Sequence, residues 1–151
     1  MLEVGAVAPD QEIQTHSGFK GQLSHFWKDG PLILFFYPKD NTSICTKEAC
    51  LLQSQLPKFG EYQAGVLGSS TDSIASHKAF AEGNQIHFPL VADGGGHLAR
   101  AYLAFRGLLR VSKRVTYVIG PHGLILGRVH HEFSVQPHLE MIQNTLDGVK
   151  G

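Results

Sequence analysis

At 151 residues with 42% apolar content, the chain can build one sizeable hydrophobic core without needing a second, and residues 1–151 are read as a single domain. Lys plus Arg and Asp plus Glu each total 13, so the formal charge is zero; with no basic run, a nucleic-acid or anionic-membrane partner is not expected. Residues 1–5 carry no basic or apolar leader pattern, no apolar run approaches the ~20 residues of a membrane span, and two cysteines are too few for a secreted disulfide scaffold, so the expectation is a soluble, cytoplasmic protein whose close cysteine pair is catalytic or redox-active.

In chain order, Ile13 and Thr15, a turn at His16-Ser17-Gly18, and residues 19–23 predict a small hairpin. Phe26 and Trp27 follow in a short segment where packing is the expected role. Residues 32–37, Leu-Ile-Leu-Phe-Phe-Tyr, form an unbroken apolar run of the kind that builds a strand buried on both faces. Three candidate N-caps, Asn41, Thr42 and Ser43, then precede Cys45, Ala49, Leu52, Leu56 and Phe59, an apolar stripe at helical spacing that Pro57 kinks or ends. Cys45 therefore falls in the first turn of a helix, where unpaired backbone N–H groups and a partial positive charge favour an anion. A thiolate is such an anion, and it is the nucleophilic form of cysteine. Taken alone, Cys45 fits a small buried hydrophobe equally well.

A second buried strand is predicted over 63–70. Asp72 and Ser73 are N-cap candidates for a helix through Phe80 and Ala81 that stops at Gly83-Asn84. A further helix is expected across 98–103. The β-branched run 114–119, the turn Gly120-Pro121-His122-Gly123 and the run 124–129 predict an antiparallel hairpin. A last helix over 135–147 presents Leu139, Ile142 and Leu146, with Gly148 as its C-terminal stop. An arginine at a strand start, such as Arg114, is ordinarily a solvated charge. None of the nine histidines shows zinc-type spacing with the cysteines, and His130-His131-Glu132 beside a strand would point to opposite faces, so the histidine pair is assigned to the surface and no metal is expected.

Pro38-x-x-x-Thr42-x-x-Cys45 resembles the active-site motif of the peroxiredoxins. The longer run, Tyr37-Pro38-Lys39-Asp40 before it and Thr46-Lys47-Glu48-Ala49-Cys50 after it, is similar to the peroxiredoxin Q (bacterioferritin comigratory protein) branch. Further segments match the same branch: Gly5-Ala6-Val7-Ala8-Pro9-Asp10, the run from Thr71-Asp72-Ser73 through Ser76-His77-Lys78 to Phe80, Phe88-Pro89-Leu90-Val91 with Asp93, and Arg114-Val115-Thr116-Tyr117. The likeness is weak over 97–113. Ser43-Ile44 departs from the Pro-Gly or similar pair common in the branch, and Ile44 sets a branched side chain beside the thiol.

The resemblance implies an α/β, thioredoxin-like fold with an N-terminal hairpin extension and one inserted helix. It implies a thiol-dependent peroxidase acting on hydrogen peroxide and organic hydroperoxides without a cofactor. Cys45 would attack the peroxide; Thr42, the Ile44 and Cys45 amides and Arg114 would hold its oxygens; Pro38 would shield the sulfur. Cys50 would resolve the sulfenic acid as an intramolecular disulfide, recycled by thioredoxin or a similar dithiol protein, in a monomer or at most a weak homodimer. Glu48 could orient Arg114, but the favoured reading is a helix-surface carboxylate. A redox-sensing or interaction module using the same disulfide is the alternative function. A thiol–disulfide oxidoreductase is disfavoured by C-x-x-x-x-C in place of C-x-x-C and by the lack of a proline within 110–113, before the strand.

Overall fold

The computed structural model describes residues 1–150. Its centre is a five-stranded mixed sheet in the order β5-β4-β3-β8-β9, formed by β3 (Leu32–Phe36), β4 (Gly65–Ser70), β5 (Leu90–Ala92), β8 (Val115–Ile119) and β9 (Ile125–His130). β3 is the middle strand and every residue in it is buried, as its uninterrupted apolar run requires. It pairs parallel with β4, Phe35 facing Gly68, and antiparallel with β8, Phe36 facing Val115. β8 and β9 make the predicted antiparallel hairpin.

Strand alternation divides the core in two. Leu32, Leu34 and Phe36 point to one face with Val115, Tyr117 and Ile119, and meet α4 (His97–Ala101) together with Ile13, Leu23 and Trp27 of the N-terminal region. Ile33, Phe35 and Tyr37 point to the other, where they pack against α1 (Ser43–Ser54), α2 (Leu56–Gly60), α3 (Ile74–Asn84) and α5 (Gln136–Lys150) through Ala49, Leu52, Phe59, Phe80, Ile142 and Leu146. Gly68 leaves room for Phe35 and Leu90 on this face: a Cβ there would sit 2.8 Å from both Phe35 Cζ and Leu90 Cδ2.

The predicted N-terminal hairpin is present as β1 (Glu12–Gln14) and β2 (Lys20–Gln22), antiparallel, with a short 3-10 helix at Leu23–Phe26. Ser73 caps α3 as expected, its side chain accepting from the Ser76 N–H. Pro57 lies in the first turn of α2, where a missing N–H costs no bond, so the apolar stripe is broken into two helices at Gln55. The sheet and its helices form the thioredoxin-like arrangement, with α4 as an added helix.

Three expectations need correction. The last helix does not stop at Gly148: it continues to Lys150, and Gly148 is not among the glycines with positive φ, so no left-handed cap forms there. α4 ends at Ala101 rather than 103, because Leu103 takes a left-handed conformation with φ 54°. β5 and a two-residue hairpin, β6 (Phe105–Arg106) with β7 (Val111–Ser112), add strands that their shortness hides from periodicity. Among the described residues no helix is long and apolar enough to cross a membrane.

Candidate active site

The loop between β3 and α1 carries the first part of the site. Asn41 turns the chain in a left-handed conformation (φ 65°), and Thr42 is the extended N-cap residue (φ −88°, ψ 152°) from which α1 starts. The first α-helical hydrogen bond runs from the Thr46 N–H to the Thr42 carbonyl, 2.9 Å. The N–H groups of Ser43, Ile44 and Cys45 precede it and have no acceptor within the helix. Thr42 does not cap them through its side chain; its hydroxyl donates to the Lys39 carbonyl at 3.0 Å. Pro38 is half-buried, Thr42 exposed, and Cys45 only 1% exposed on the inner face of α1.

A knot of polar groups fixes this loop from below. The Asp40 carboxylate is buried and accepts from the Tyr37 hydroxyl at 2.6 Å, the Ser76 hydroxyl at 2.9 Å and His77 Nδ1 at 2.8 Å. The Asp40 N–H donates to Asp72 Oδ2 at 2.8 Å, and His77 Nε2 donates to the Val91 carbonyl at 2.9 Å. Burial pushes the Asp40 carboxyl up, but the His77 and Tyr37 hydrogen bonds, the attraction to His77 and the Ser76 bond outweigh it and hold it below its usual range. Asp40, Asp72 and His77 bring possible metal ligands within 4.8 Å of one another. Both Asp40 oxygens, both His77 nitrogens and Asp72 Oδ2 are already committed to the bonds just given, so the cluster fits a structural brace better than a cation site.

Arg114 supplies the second part. Val115, Tyr117 and Ile119 of β8 face away from α1, so the same alternation aims Thr116, and Arg114 just before the strand, toward it. Arg114 is 4% exposed, not a solvated strand-end charge. Its Nη2 donates to Cys45 Sγ at 3.1 Å, its Nη1 to Glu48 Oε1 at 3.0 Å and its Nε to the Glu132 carbonyl at 3.1 Å. Burial works against its charge, yet attraction and a hydrogen bond to Cys45, then to Glu48, carry it above its ordinary value. A planar guanidinium fork can serve two acceptors in this way, which a lysine cannot reproduce.

Glu48 overturns the surface reading. It is fully buried, one turn along α1 from Cys45, and is the second acceptor of Arg114. Burial pushes its carboxyl up to about 7 against the pull of Arg114, with Glu132 adding to the rise. His138 of α5, which sequence reasoning never singled out, is buried beside it: Nδ1 lies 3.5 Å from Glu48 Oε2 and 2.8 Å from Thr116 Oγ1, and Nε2 donates to the His131 carbonyl at 2.9 Å. The one available signal was helical spacing, since Leu139, Ile142 and Leu146 set the buried face of α5 and His138 adjoins it. His130 and His131 are exposed, as expected.

Cys45, Arg114 and the start of α1 are thus brought together, with Pro38 and Thr42 on the loop that leads in. Cys50 is not brought to Cys45. Both cysteines are free and lie on α1, but Cys50 is exposed on the side away from the core.

The AhpC/TSA family model matches residues 4–127. Wheat (Triticum aestivum) chloroplastic peroxiredoxin Q is 34% identical over 145 residues, which cover 93% of this chain and 66% of that protein. The crystal structure of peroxidoxin BcpB from Mycobacterium tuberculosis superposes with a TM-score of 0.93 at 34% identity, covering 100% of both chains. A Xanthomonas campestris bacterioferritin comigratory protein, described for its alkyl peroxide reduction activity, gives a TM-score of 0.85 at 27% identity over 100% of this chain and 99% of that one.

Proposed function

Because the chain belongs to the AhpC/TSA family, in the peroxiredoxin Q branch of the peroxiredoxins, whose activity is thiol-dependent peroxide reduction, we propose that it is an atypical two-cysteine peroxidase, one domain over 1–151, with Cys45 as the attacking thiol and Cys50 as the resolving one. The single observation that supports this most is the 3.1 Å bond from Arg114 Nη2 to Cys45 Sγ at the first turn of α1. A buried guanidinium donating to the sulfur and free amides at the start of the helix are donors that an inert core cysteine does not need.

In the first step the Cys45 thiolate attacks the near oxygen of a hydroperoxide. The S–O bond forms, the O–O bond breaks, and the departing oxygen takes a proton to leave as water or an alcohol, with Cys45 as sulfenic acid. The charge growing on the departing oxygen calls for fixed donors close by. Arg114, the free Ile44 and Cys45 N–H groups and the Thr42 hydroxyl, once it turns from Lys39, are the donors assigned here. Pro38 limits water beside the sulfur. In the second step the Cys50 thiol displaces hydroxide from the sulfenic acid, releasing water and leaving a Cys45–Cys50 disulfide. A thioredoxin-like dithiol then returns two electrons. The substrate class includes organic hydroperoxides, as described for the Xanthomonas campestris relative.

The test follows peroxide loss against dithiol oxidation in one coupled assay. Wild type should turn over with a thioredoxin-type donor; Cys45→Ser should consume none, and Cys50→Ser should react once and fail to recycle. Turnover that persists in Cys45→Ser refutes the assignment, and oxidation without turnover in wild type transfers it to the redox-sensing module.

A further inference from the structure

Behind the guanidinium that meets Cys45 lies a buried contact that the reaction just described does not use. Glu48 Oε1 accepts from Arg114, but Glu48 Oε2 has no hydrogen-bond partner although it is shut off from water. A carboxylate oxygen left so in a protein interior is costly. The group it faces is His138 Nδ1, 3.5 Å away. The tautomer of that ring is set from its far side: Nε2 lies 2.9 Å from the His131 carbonyl, which can only accept, so Nε2 carries a hydrogen. A neutral His138 then presents a lone pair at Nδ1, pointing with the Thr116 hydroxyl and the bare carboxylate oxygen into one small space. Two acceptors face each other. One proton between them removes the conflict, and the Thr116 hydroxyl can either donate to Nδ1 or accept from it.

We propose that His138 is a positioning residue for the peroxide chemistry, keeping one proton between its Nδ1 and Glu48 Oε2 so that Arg114 directs its charge at Cys45 instead of at a carboxylate. This rests on the reading of Cys45 as the attacking thiol. With the proton in place, Glu48 is a neutral hydrogen-bond acceptor that steers the guanidinium without competing for its charge. Without it, Cys45 and Glu48 are two anions dividing one cation, and both the thiolate and the departing oxygen lose support.

The surroundings favour retention of the proton. Burial raises the Glu48 carboxyl to about 7 and lowers His138, so the proton's place is on the carboxyl side of the pair near neutrality. The charged and titratable groups acting on the pair are Arg114 at the start of β8, and Glu132, His130 and His131 at and after the end of β9, while Cys45 of α1 reaches it through Arg114. Arg114 pulls toward loss of the proton, and Glu132 toward its retention.

Infrared spectroscopy of the reduced protein, with no peroxide present, reads the proton directly. Wild type should show the C=O stretch of a protonated buried carboxyl that titrates away as pH rises, and Glu48→Gln should lack it. His138→Phe removes the proton's second acceptor, so the midpoint should fall by roughly one pH unit, a tenfold loss of proton affinity. Should that variant fail to fold, Thr116→Val decides: it frees Nδ1 from a competing hydroxyl donor, and the midpoint should rise. Stopped-flow oxidation should then show an alkaline loss of rate in wild type at the same midpoint, absent in Glu48→Gln at whatever plateau that variant has. A spectrum without the protonated carboxyl, or a midpoint that neither His138→Phe nor Thr116→Val moves, overturns the proposal and leaves the peroxidase reading standing. A wild type that shows the titration but consumes no peroxide refutes that reading alone.

Discussion

Oxidation with one equivalent of peroxide should unwind the first turns of α1, and helix geometry sets how far. Five residues at ~100° each place Cys50 about 140° around from Cys45 with a rise of roughly 7.5 Å, so their Cα atoms are roughly 8–9 Å apart. A disulfide needs about 7 Å or less. Cys45 is buried and Cys50 exposed on this one continuous helix, so no rotamer change bridges them. Bringing the sulfurs together breaks the backbone bonds made by the amides of 46–50, pulls Cys45 and Glu48 off Arg114, and takes Ala49 out of the core. Leu52, fully buried one turn further on, remains to hold the rest of the helix. Five backbone bonds at roughly 0.5–1.5 kcal/mol net come to about 2.5–7.5 kcal/mol of local protection. At ~1.4 kcal/mol per tenfold, amides 46–50 should exchange at least about fiftyfold faster in the oxidised protein than in the reduced one. Hydrogen exchange read by mass spectrometry measures this, with Leu32–Phe36 of β3 as the internal control that should not change. If disulfide mapping finds Cys45 bonded to Cys50 while 46–50 stay equally protected, the cysteines do not share one helix in solution and α1 does not unwind on oxidation.

Arg114→Ala removes one charge-assisted bond to Cys45 worth roughly 1.5–3 kcal/mol, so the first oxidation should slow by about 10- to 100-fold in single-turnover stopped flow; an unchanged rate would return Arg114 to a structural role. Asp40→Asn should lower urea stability by about 1–3 kcal/mol at pH 7. Because the folded Asp40 carboxyl is held below its usual range, its contribution is present above that range and is lost as pH falls through the lowered value, so the variant's stability should depend less on pH in the acid region; parallel curves for the two proteins would contradict this. Gly68→Ala puts a Cβ 2.8 Å from Phe35 Cζ and Leu90 Cδ2 and should cost about 1–3 kcal/mol by overpacking, seen as a lower urea midpoint at unchanged slope.

Residues whose position follows from local pattern were legible in the sequence. The apolar run 32–37 reads as a doubly buried strand and the candidate caps before Cys45 as a helix start, and the structure bears out both, with the strand ending at Phe36 and Thr42 as the N-cap residue, so the thiol's setting is readable from local pattern. Arg114 was readable through its strand and the family motif, although its bidentate hold on two side chains was not. Glu48 was misjudged because charge is a good guide to exposure only where no buried partner exists, and Arg114 lies 66 residues away in sequence. His138 escaped for the same reason, its partners coming from β8 and the segment after β9. β5 and the β6–β7 hairpin were too short to show a period, and what makes β5 a strand is its parallel pairing with β4, Gly68 opposite Leu90.

The brace under Asp40 also bears on how quickly the enzyme can be ready again. Its hydrogen bonds run to Tyr37, Ser76, His77 and Asp72, none of which lies in the stretch that the proposed disulfide would open, so Asn41 and Thr42 would hang from a fixed post while 43–50 came loose. Rewinding from an anchored end is a local event, and helix relaxation in peptides of about 20 residues takes roughly 0.1–1 μs. A protein donor at micromolar concentration, meeting its target at about 10⁵–10⁷ M⁻¹s⁻¹, arrives only every 0.1–10 s or so. With the disulfide proposed above, the open form would wait on its electron donor and not on its own refolding, and the time a molecule spends unwound would measure how much reduced donor surrounds it.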